Sequence, residues 1–367
     1  MNLSCNFEAS YRVMTSATAP ASATNSTKNV FDVGKYETVL RTVETGTCTT
    51  KSKLAVPPPK PLLIAMPSEA GEFPLLVFLH GYLLYNSFYS QLIQHIASHG
   101  FIVIAPQARL SIPIESQLLI YGPKSLTWLT YNLSLWTTFP YKPLYTVAGP
   151  DATDDIKSTV ATTNWLSEGL LYLLPPDVQP NIRKLGLAGH SRGGKTAFAV
   201  ALEKASTSLK FSALIGIDPV DGTDKGKQTP PPVLTYVPHS FDLDMAAMVI
   251  GTELGEMKKN PLFPAPAPKG VNHEDFFNEC QKPACHFLVK DYGHVDMLDD
   301  DTKGIRGKAT YCLCKNGKSR KPMRTFVGGI VVAFMKAYLL GDNSDLMAIR
   351  DGHETAPVEL KTMEFLV

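Results

Sequence analysis

Short segments of the chain are apolar almost throughout, with no alternation: PLLIAMP (61–67), PLLVFLHG (74–81), FIVIAP (101–106), KLGLAG (184–189), FSALIGID (211–218), MAAMVIG (245–251) and CHFLVKDYGH (285–294). Such runs suit strands buried on both faces of a sheet. YETVLRTVE (36–44) alternates and reads as an opening strand. Between the strands the period changes. NSFYSQLIQHIASHG (86–100) places Phe88, Leu92 and Ile96 at helical spacing and stops at Gly100. From Asp151, DATDDIKSTVATTNWLSEGLLYLL predicts a long helix with its acidic residues at the end where the helix dipole favours them. PPDVQPN after it reads as a surface loop, and a last long helix is expected from about Thr325 to Leu340. Strands alternating with helices predict an α/β protein, a mostly parallel central sheet with helices on both faces.

The most apolar run, FVGGIVVAFMKAYLL (326–340), is short and interrupted by Lys336, so it predicts a buried helix and no transmembrane segment. With 44% hydrophobic residues, 19% charged and a formal net charge of +1, the chain lacks the basic footprint of a nucleic-acid binder; some affinity for apolar partners is expected instead. Six cysteines in 367 residues make no disulfide scaffold. Cys280 and Cys285, and Cys312 with Cys314, lack the further ligands that a zinc site needs, so buried thiols or one local disulfide are expected and no metal. Residues 1–30 are rich in Ser, Thr and Ala with one acid, Glu8, which suits either a plastid transit segment or a disordered tail. Residues 108–142 hold Trp128 and Trp136 and many Leu and Tyr, with few charges and no clean period.

Chemistry concentrates in LGLAGHSRGGKTAFAVAL (185–202). Gly189, Ser191 and Gly193 form G-x-S-x-G between a strand and a helix, the context in which a tight turn holds a serine hydroxyl out as a nucleophile. A serine needs a histidine to take its proton and a carboxylate to orient that histidine, and with this elbow the order along the chain is Ser, acid, His. Asp218 ends the next strand and is the expected acid, with Asp221 its competitor and Glu253 or Glu256 the fallback one strand later. Among His239, His273, His286, His294 and His353, only His294 directly follows the last apolar strand, which makes it the expected base. The backbone N–H groups of Arg192, after the nucleophile, and Tyr82, after the third strand, are the expected oxyanion donors. The acidic run Asp296 and Asp299 to Asp301 reads as a solvated helix end.

Several strings, FLHGYLLYNSFYSQLIQHIASHGFIVIAPQ, LYTVAGPDATDDI, GHSRGGKTAF, FSALIGIDPVDG, VNHEDFFNEC and DYGHVDMLDDD, together resemble plant chlorophyllase, an α/β-hydrolase family, from about Phe31 to Gly341. The resemblance implies cleavage of chlorophyll to chlorophyllide and phytol, with the family's serine, aspartate and histidine falling on Ser191, Asp218 and His294. It implies no metal or organic cofactor, since chlorophyll's magnesium belongs to the substrate. A chloroplast location is expected, with cytosol or an endomembrane the alternatives, and contact with membranes would be peripheral, through apolar surface. Rival readings are a general carboxylesterase or lipase, an acyl transferase, and a non-catalytic pigment-binding hydrolase fold. In that family the counterpart of IAPQ runs almost directly into that of LYTVAGPDATD, whereas here 108–142 intervene, as a lid or, the reading preferred, as translated intron. The expected organisation is a tail (1–30), a hydrolase domain (31–345) carrying that insertion, and a C-terminal tail (346–367).

Overall fold

The structure, a computed structural model, describes residues 29–45, 56–107, 151–261 and 263–367. The segment 108–142, and residues 1–28 of the N-terminal stretch, lie outside the described residues. Nine strands form one sheet in the order β1-β2-β4-β3-β5-β6-β7-β8-β9. They are β1 (Thr38–Val43), β2 (Leu62–Pro67), β3 (Gly71–Leu79), β4 (Ile102–Pro106), β5 (Val178–His190), β6 (Ala213–Ile217), β7 (Ala246–Thr252), β8 (Ala284–Val289) and β9 (Leu360–Leu366). From β4 through β3, β5, β6 and β7 to β8 every pairing is parallel, while β1, β2 and β9 join antiparallel at the two sides. This arrangement is that of an α/β hydrolase.

The strands' unbroken apolar character has a direct cause. Alternate residues of one strand enter two different cores: Leu76 and Phe78 face one side of the sheet, Leu75 and Val77 the other. The first side is covered by α1 (Ser90–Ser98) and by the apolar helix found at Arg320–Met335. The second side is covered by Thr153–Gly169, Arg192–Ala201 and His273–Glu279, which we label α2, α3 and α4. Gly304–Leu313 is α5, Arg320–Met335 α6 and Ser344–Arg350 α7. With the turn that continues it to Leu340, α6 is long and apolar enough to cross a bilayer, yet 72% of its most apolar window is buried against the sheet and α1. It is a core helix.

Two boundaries differ from the sequence pattern. PPDVQPN is not all loop, because Val178–Asn181 already pair with Gly71–Pro74, and a bulge then admits extra residues before Leu185 meets Leu75. Pro180 and the polar neighbours hide this extension, since the start of β5 is only partly buried. Residues 346–367 are no tail either. They contain most of α7 and all of β9, which pairs from Ala284↔Leu366 to Val289↔Leu360 along β8.

Candidate active site

The carboxyl ends of β3, β5, β6, β7 and β8 lie side by side, and the polar residues sit at these ends and on the loops leaving them. Ser191 joins β5 to α3 with φ 58° and ψ −124°, a conformation that L-residues avoid at a cost of about 1–3 kcal/mol. The turn is pinned by Ser191 N–H donating to Ile217 O (2.9 Å) and Val220 N–H donating to Ser191 O (3.2 Å). The flanking glycines are needed for close approach. A Cβ at Gly189 would lie 2.2 Å from Gly193 O, and one at Gly193 would lie 2.4 Å from Leu79 O, both inside contact distance. Strand, elbow and helix thus pack backbone to backbone.

His294 follows β8, on a turn that buried Asp296 fixes by accepting from Gly293 N–H (2.7 Å) and Gly317 N–H (2.6 Å). Its Nδ1–H donates to Asp218 Oδ2 at 2.7 Å, and Ser191 Oγ–H donates to its Nε2 at 2.8 Å. Asp218 has φ 43° and is fully buried at the end of β6. Thr252 supplies two further donors, its hydroxyl to Asp218 Oδ2 (2.6 Å) and its N–H to Oδ1 (3.3 Å). Burial alone would raise the Asp218 carboxyl, but the hydrogen bond and charge of His294, the charge of His273 and the Thr252 hydroxyl together hold it below its usual value of 3.8. The carboxylate therefore stays ionised beside the imidazole.

The competitors are engaged elsewhere. Asp221 pairs with the fully buried Lys195 of α3 at 2.9 Å and accepts from the N–H groups of Val233 and Leu234. Glu253 bonds Lys361 and Glu256 bonds Asn272. His239 bonds Cys280 O, His273 stacks on His286, and His353 is exposed. The acidic run is solvated only in its second half: Asp300 and Asp301 are exposed, Asp300 pairing with Arg324, whereas Asp296 is buried and Asp299 accepts from the Ser90 hydroxyl and Gln91 N–H at the start of α1. Cys280, Cys285, Cys312 and Cys314 are free thiols, and burial pushes Cys280 up to about 12, leaving it a poor nucleophile. Among the described residues no cluster of side chains is arranged to hold a metal.

Tyr82 lies just beyond β3, and Arg192 opens α3. Their side chains meet, the guanidinium 5.4 Å from the ring centroid, while Arg192 Nε also donates to Asp155 Oδ2 of α2 at 2.7 Å. The two positions expected to offer backbone donors are thereby tied together and anchored to a third element. Sequence reasoning missed a buried polar group behind them: His80, Tyr89 and His190, with Gln107 beside His80. His190 drew no attention because it is the unspecified second residue of the motif, and Tyr89 reads as one more apolar position of a helix.

The chlorophyllase family model matches residues 26–137 and 141–367, a span that takes in most of 108–142. Chlorophyllase-2 of Arabidopsis thaliana is 54% identical over 353 residues, covering 94% of this chain and 100% of that protein. Chlorophyllase-1 of Arabidopsis thaliana is 44% identical over 307 residues, 83% of each chain. A Citrus unshiu protein named chlorophyllase-1, chloroplastic, is 39% identical over 340 residues, 92% of this chain and 88% of that one. With a family match over most of its length and relatives this similar, the chain belongs to the chlorophyllase family.

Proposed function

We propose that this chain is a serine esterase that hydrolyses the phytyl ester of chlorophyll in the chloroplast, with Ser191 as nucleophile, His294 as base and Asp218 as its orienting acid. The observation that carries this reading is the unbroken series of hydrogen bonds from Asp218 through His294 to Ser191 Oγ, ending at a strained elbow beside a helix N-terminus. In the reaction Ser191 Oγ attacks the ester carbonyl carbon as its proton passes to His294 Nε2. The backbone N–H groups of Tyr82 and Arg192 receive the resulting oxyanion. Collapse breaks the bond to the phytyl oxygen, which leaves as phytol with the proton from His294. Water, deprotonated by the same imidazole, then releases the chlorophyllide carboxylate and restores Ser191. No cofactor enters this sequence, and the magnesium remains in the substrate.

The phytyl chain supplies binding, at about 0.8 kcal/mol for each buried methylene. Peripheral contact with a lipid surface fits α5 and its approaches. Ile305, Tyr311, Leu313 and Met257, which Lys315 Nζ reaches at 3.5 Å, are exposed, as are Lys303, Lys308, Lys318 and Lys321 of the same stretch, which has no acidic residue between 303 and 321. Arg306 of α5 lies 5.0 Å from the Tyr85 ring on the loop after β3, so this face adjoins the site. Vesicles containing phosphatidylglycerol should bind the protein more tightly than pure phosphatidylcholine; equal binding would refute the charge argument.

Incubation of the full chain with chlorophyll a, following chlorophyllide and phytol, tests the activity, and Ser191→Ala should lower kcat by about a millionfold. Preference for p-nitrophenyl esters over chlorophyll would favour a general esterase, and exchange with alcohols faster than hydrolysis an acyl transferase. Pigment binding without turnover in the wild-type chain would favour a silent fold. Residues 31–367 are proposed as the hydrolase unit, since β9 (Leu360–Leu366) completes its sheet, with 108–142 as a dispensable insertion, a reading supported by all nine strands of the described sheet lying outside that segment. Deletion of 108–142 should preserve folding and esterase activity; an unfolded, inactive product would overturn that reading. The chloroplast assignment is supported by the Ser/Thr-rich start and by the Citrus unshiu relative named chloroplastic, and imaging a fluorescent fusion tests it.

A further inference from the structure

Behind the reacting groups runs a second hydrogen-bonded series that the mechanism above does not use. His190 Nε2 lies 2.7 Å from the backbone oxygen of His294, which has only lone pairs to offer, so Nε2 carries the proton and donates. His190 Nδ1 is then a bare acceptor, and Tyr89 Oη–H donates to it at 2.6 Å. The tyrosine oxygen, its proton committed, accepts from Gly81 N–H at 3.0 Å. Each donor has one acceptor and the direction is single, from Gly81 through Tyr89 and His190 to His294. The other side of Gly81 is held as well. His80 Nδ1–H donates to Gly81 O at 2.8 Å, and Gln107 Nε2–H donates to His80 Nε2 at 2.9 Å. Both peptide planes of Gly81 are therefore fixed, including the plane that carries Tyr82 N–H. There is little slack, because a Cβ at Gly81 would lie 2.8 Å from His190 Nδ1.

We infer that Tyr89 and His190 are positioning residues that lock the loop bearing the Tyr82 oxyanion donor to the loop bearing His294. The inference rests on the roles proposed for Ser191, His294 and Tyr82. Tyr89 and His190 touch no substrate; both are fully buried. Their part is to hold two loops from distant points of the sequence at one spacing, so that a donor meets the oxyanion while the imidazole meets the serine. Burial, reinforced by the neighbouring His294, keeps the His190 imidazole neutral, with a pKa near 3, and a neutral ring is what the single direction of the series requires. A protonated ring would turn Nδ1 into a donor facing the tyrosine.

The test uses the full chain with p-nitrophenyl butyrate and with chlorophyll a, comparing Tyr89→Phe, His190→Phe, His190→Gln and the double variant Tyr89→Phe/His190→Phe. Tyr89→Phe removes one oxygen and keeps the ring, so it should fold. Its kcat should fall roughly ten- to hundredfold with KM within about twofold, less than the hundred- to thousandfold typical when an oxyanion donor is removed outright. His190→Phe should fall at least as far. The double variant should be no slower than His190→Phe alone, because the two act as one unit. His190→Gln, with an amide N–H for the His294 carbonyl and an oxygen for the Tyr89 hydroxyl, should recover most of the lost kcat. If His190→Phe does not fold, Tyr89→Phe and His190→Gln decide the matter. Wild-type kcat in Tyr89→Phe, with Ser191→Ala inactive, would overturn the positioning role and leave the triad standing. An active Ser191→Ala would instead overturn the triad on which it rests.

Discussion

Replacement of Asp218 by asparagine isolates the charge of the acid from its shape. Asp218 Oδ2 receives two short donors, from His294 Nδ1 and Thr252 Oγ1, while Oδ1 receives one long contact of 3.3 Å from Thr252 N–H. An asparagine amide keeps its oxygen where the two short donors converge and turns its NH₂ toward the long contact, because the reverse sets a donor against both. The His294 tautomer then survives, with Nε2 still free to take the serine proton. What disappears is the negative charge facing the imidazolium that forms during attack. Opposite unit charges about 4 Å apart at an effective dielectric of about 20 interact by about 4 kcal/mol. At about 1.4 kcal/mol per tenfold, kcat should fall about a thousandfold. The measurement is kcat on p-nitrophenyl butyrate and on chlorophyll a, with thermal unfolding as the control for folding. A folded Asp218→Asn protein that retains more than a tenth of wild-type kcat would refute the assignment of Asp218 as the acid.

Asp221, three residues on, should behave in the opposite way. Asp221→Ala leaves the buried ammonium of Lys195 unpaired and should cost about 3–5 kcal/mol in urea unfolding, with kcat per folded molecule close to wild type; a catalytic loss without a stability loss would reverse the roles of the two aspartates. Gly193→Ala places a methyl carbon 2.4 Å from Leu79 O, backbone that cannot swing aside, so the variant should unfold at lower temperature and lose activity, and a normal crystal structure of an active variant would contradict the packing argument. His190, lowered from 6.5 to about 3 by burial and then by His294, also makes stability depend on pH. The unfolded chain gains a proton on this imidazole below pH 6.5 and the folded chain does not, so its contribution is complete above 6.5 and is lost as pH falls toward 3, at about 1.4 kcal/mol per unit. Between pH 6.5 and 4.5, His190→Gln should therefore lose roughly 2–3 kcal/mol less than wild type in urea titrations, and parallel curves would show that this residue carries no such dependence.

The central strands were legible because they are buried on both faces, a condition that forces apolar residues at every position. β9 was not. It borders the sheet with most residues half-exposed, and the apolar residues of LKTMEFL are split, Leu360, Met363 and Phe365 against one core and Leu366 against the other. Ser191, Asp218 and His294 could be proposed from chain order and from strands that end abruptly, which are local properties, and the structure places the three within hydrogen-bond reach of one another. The choice between Asp218 and Asp221 depends on Lys195, a lysine on a helix whose complete burial nothing local announces. Tyr89 and His190 were illegible for the same reason, their partners being residues 8 and 104 positions away.

The backbone of Ser191 carries a consequence of its own. A side chain held at φ 58° and ψ −124° is a local debit that glycine would not incur, so Ser191→Gly should yield a chain at least as resistant to unfolding and wholly inert. A campaign that screened variants for heat tolerance alone would thus discard the hydroxyl proposed as the nucleophile, and only a screen that also reads turnover would keep it.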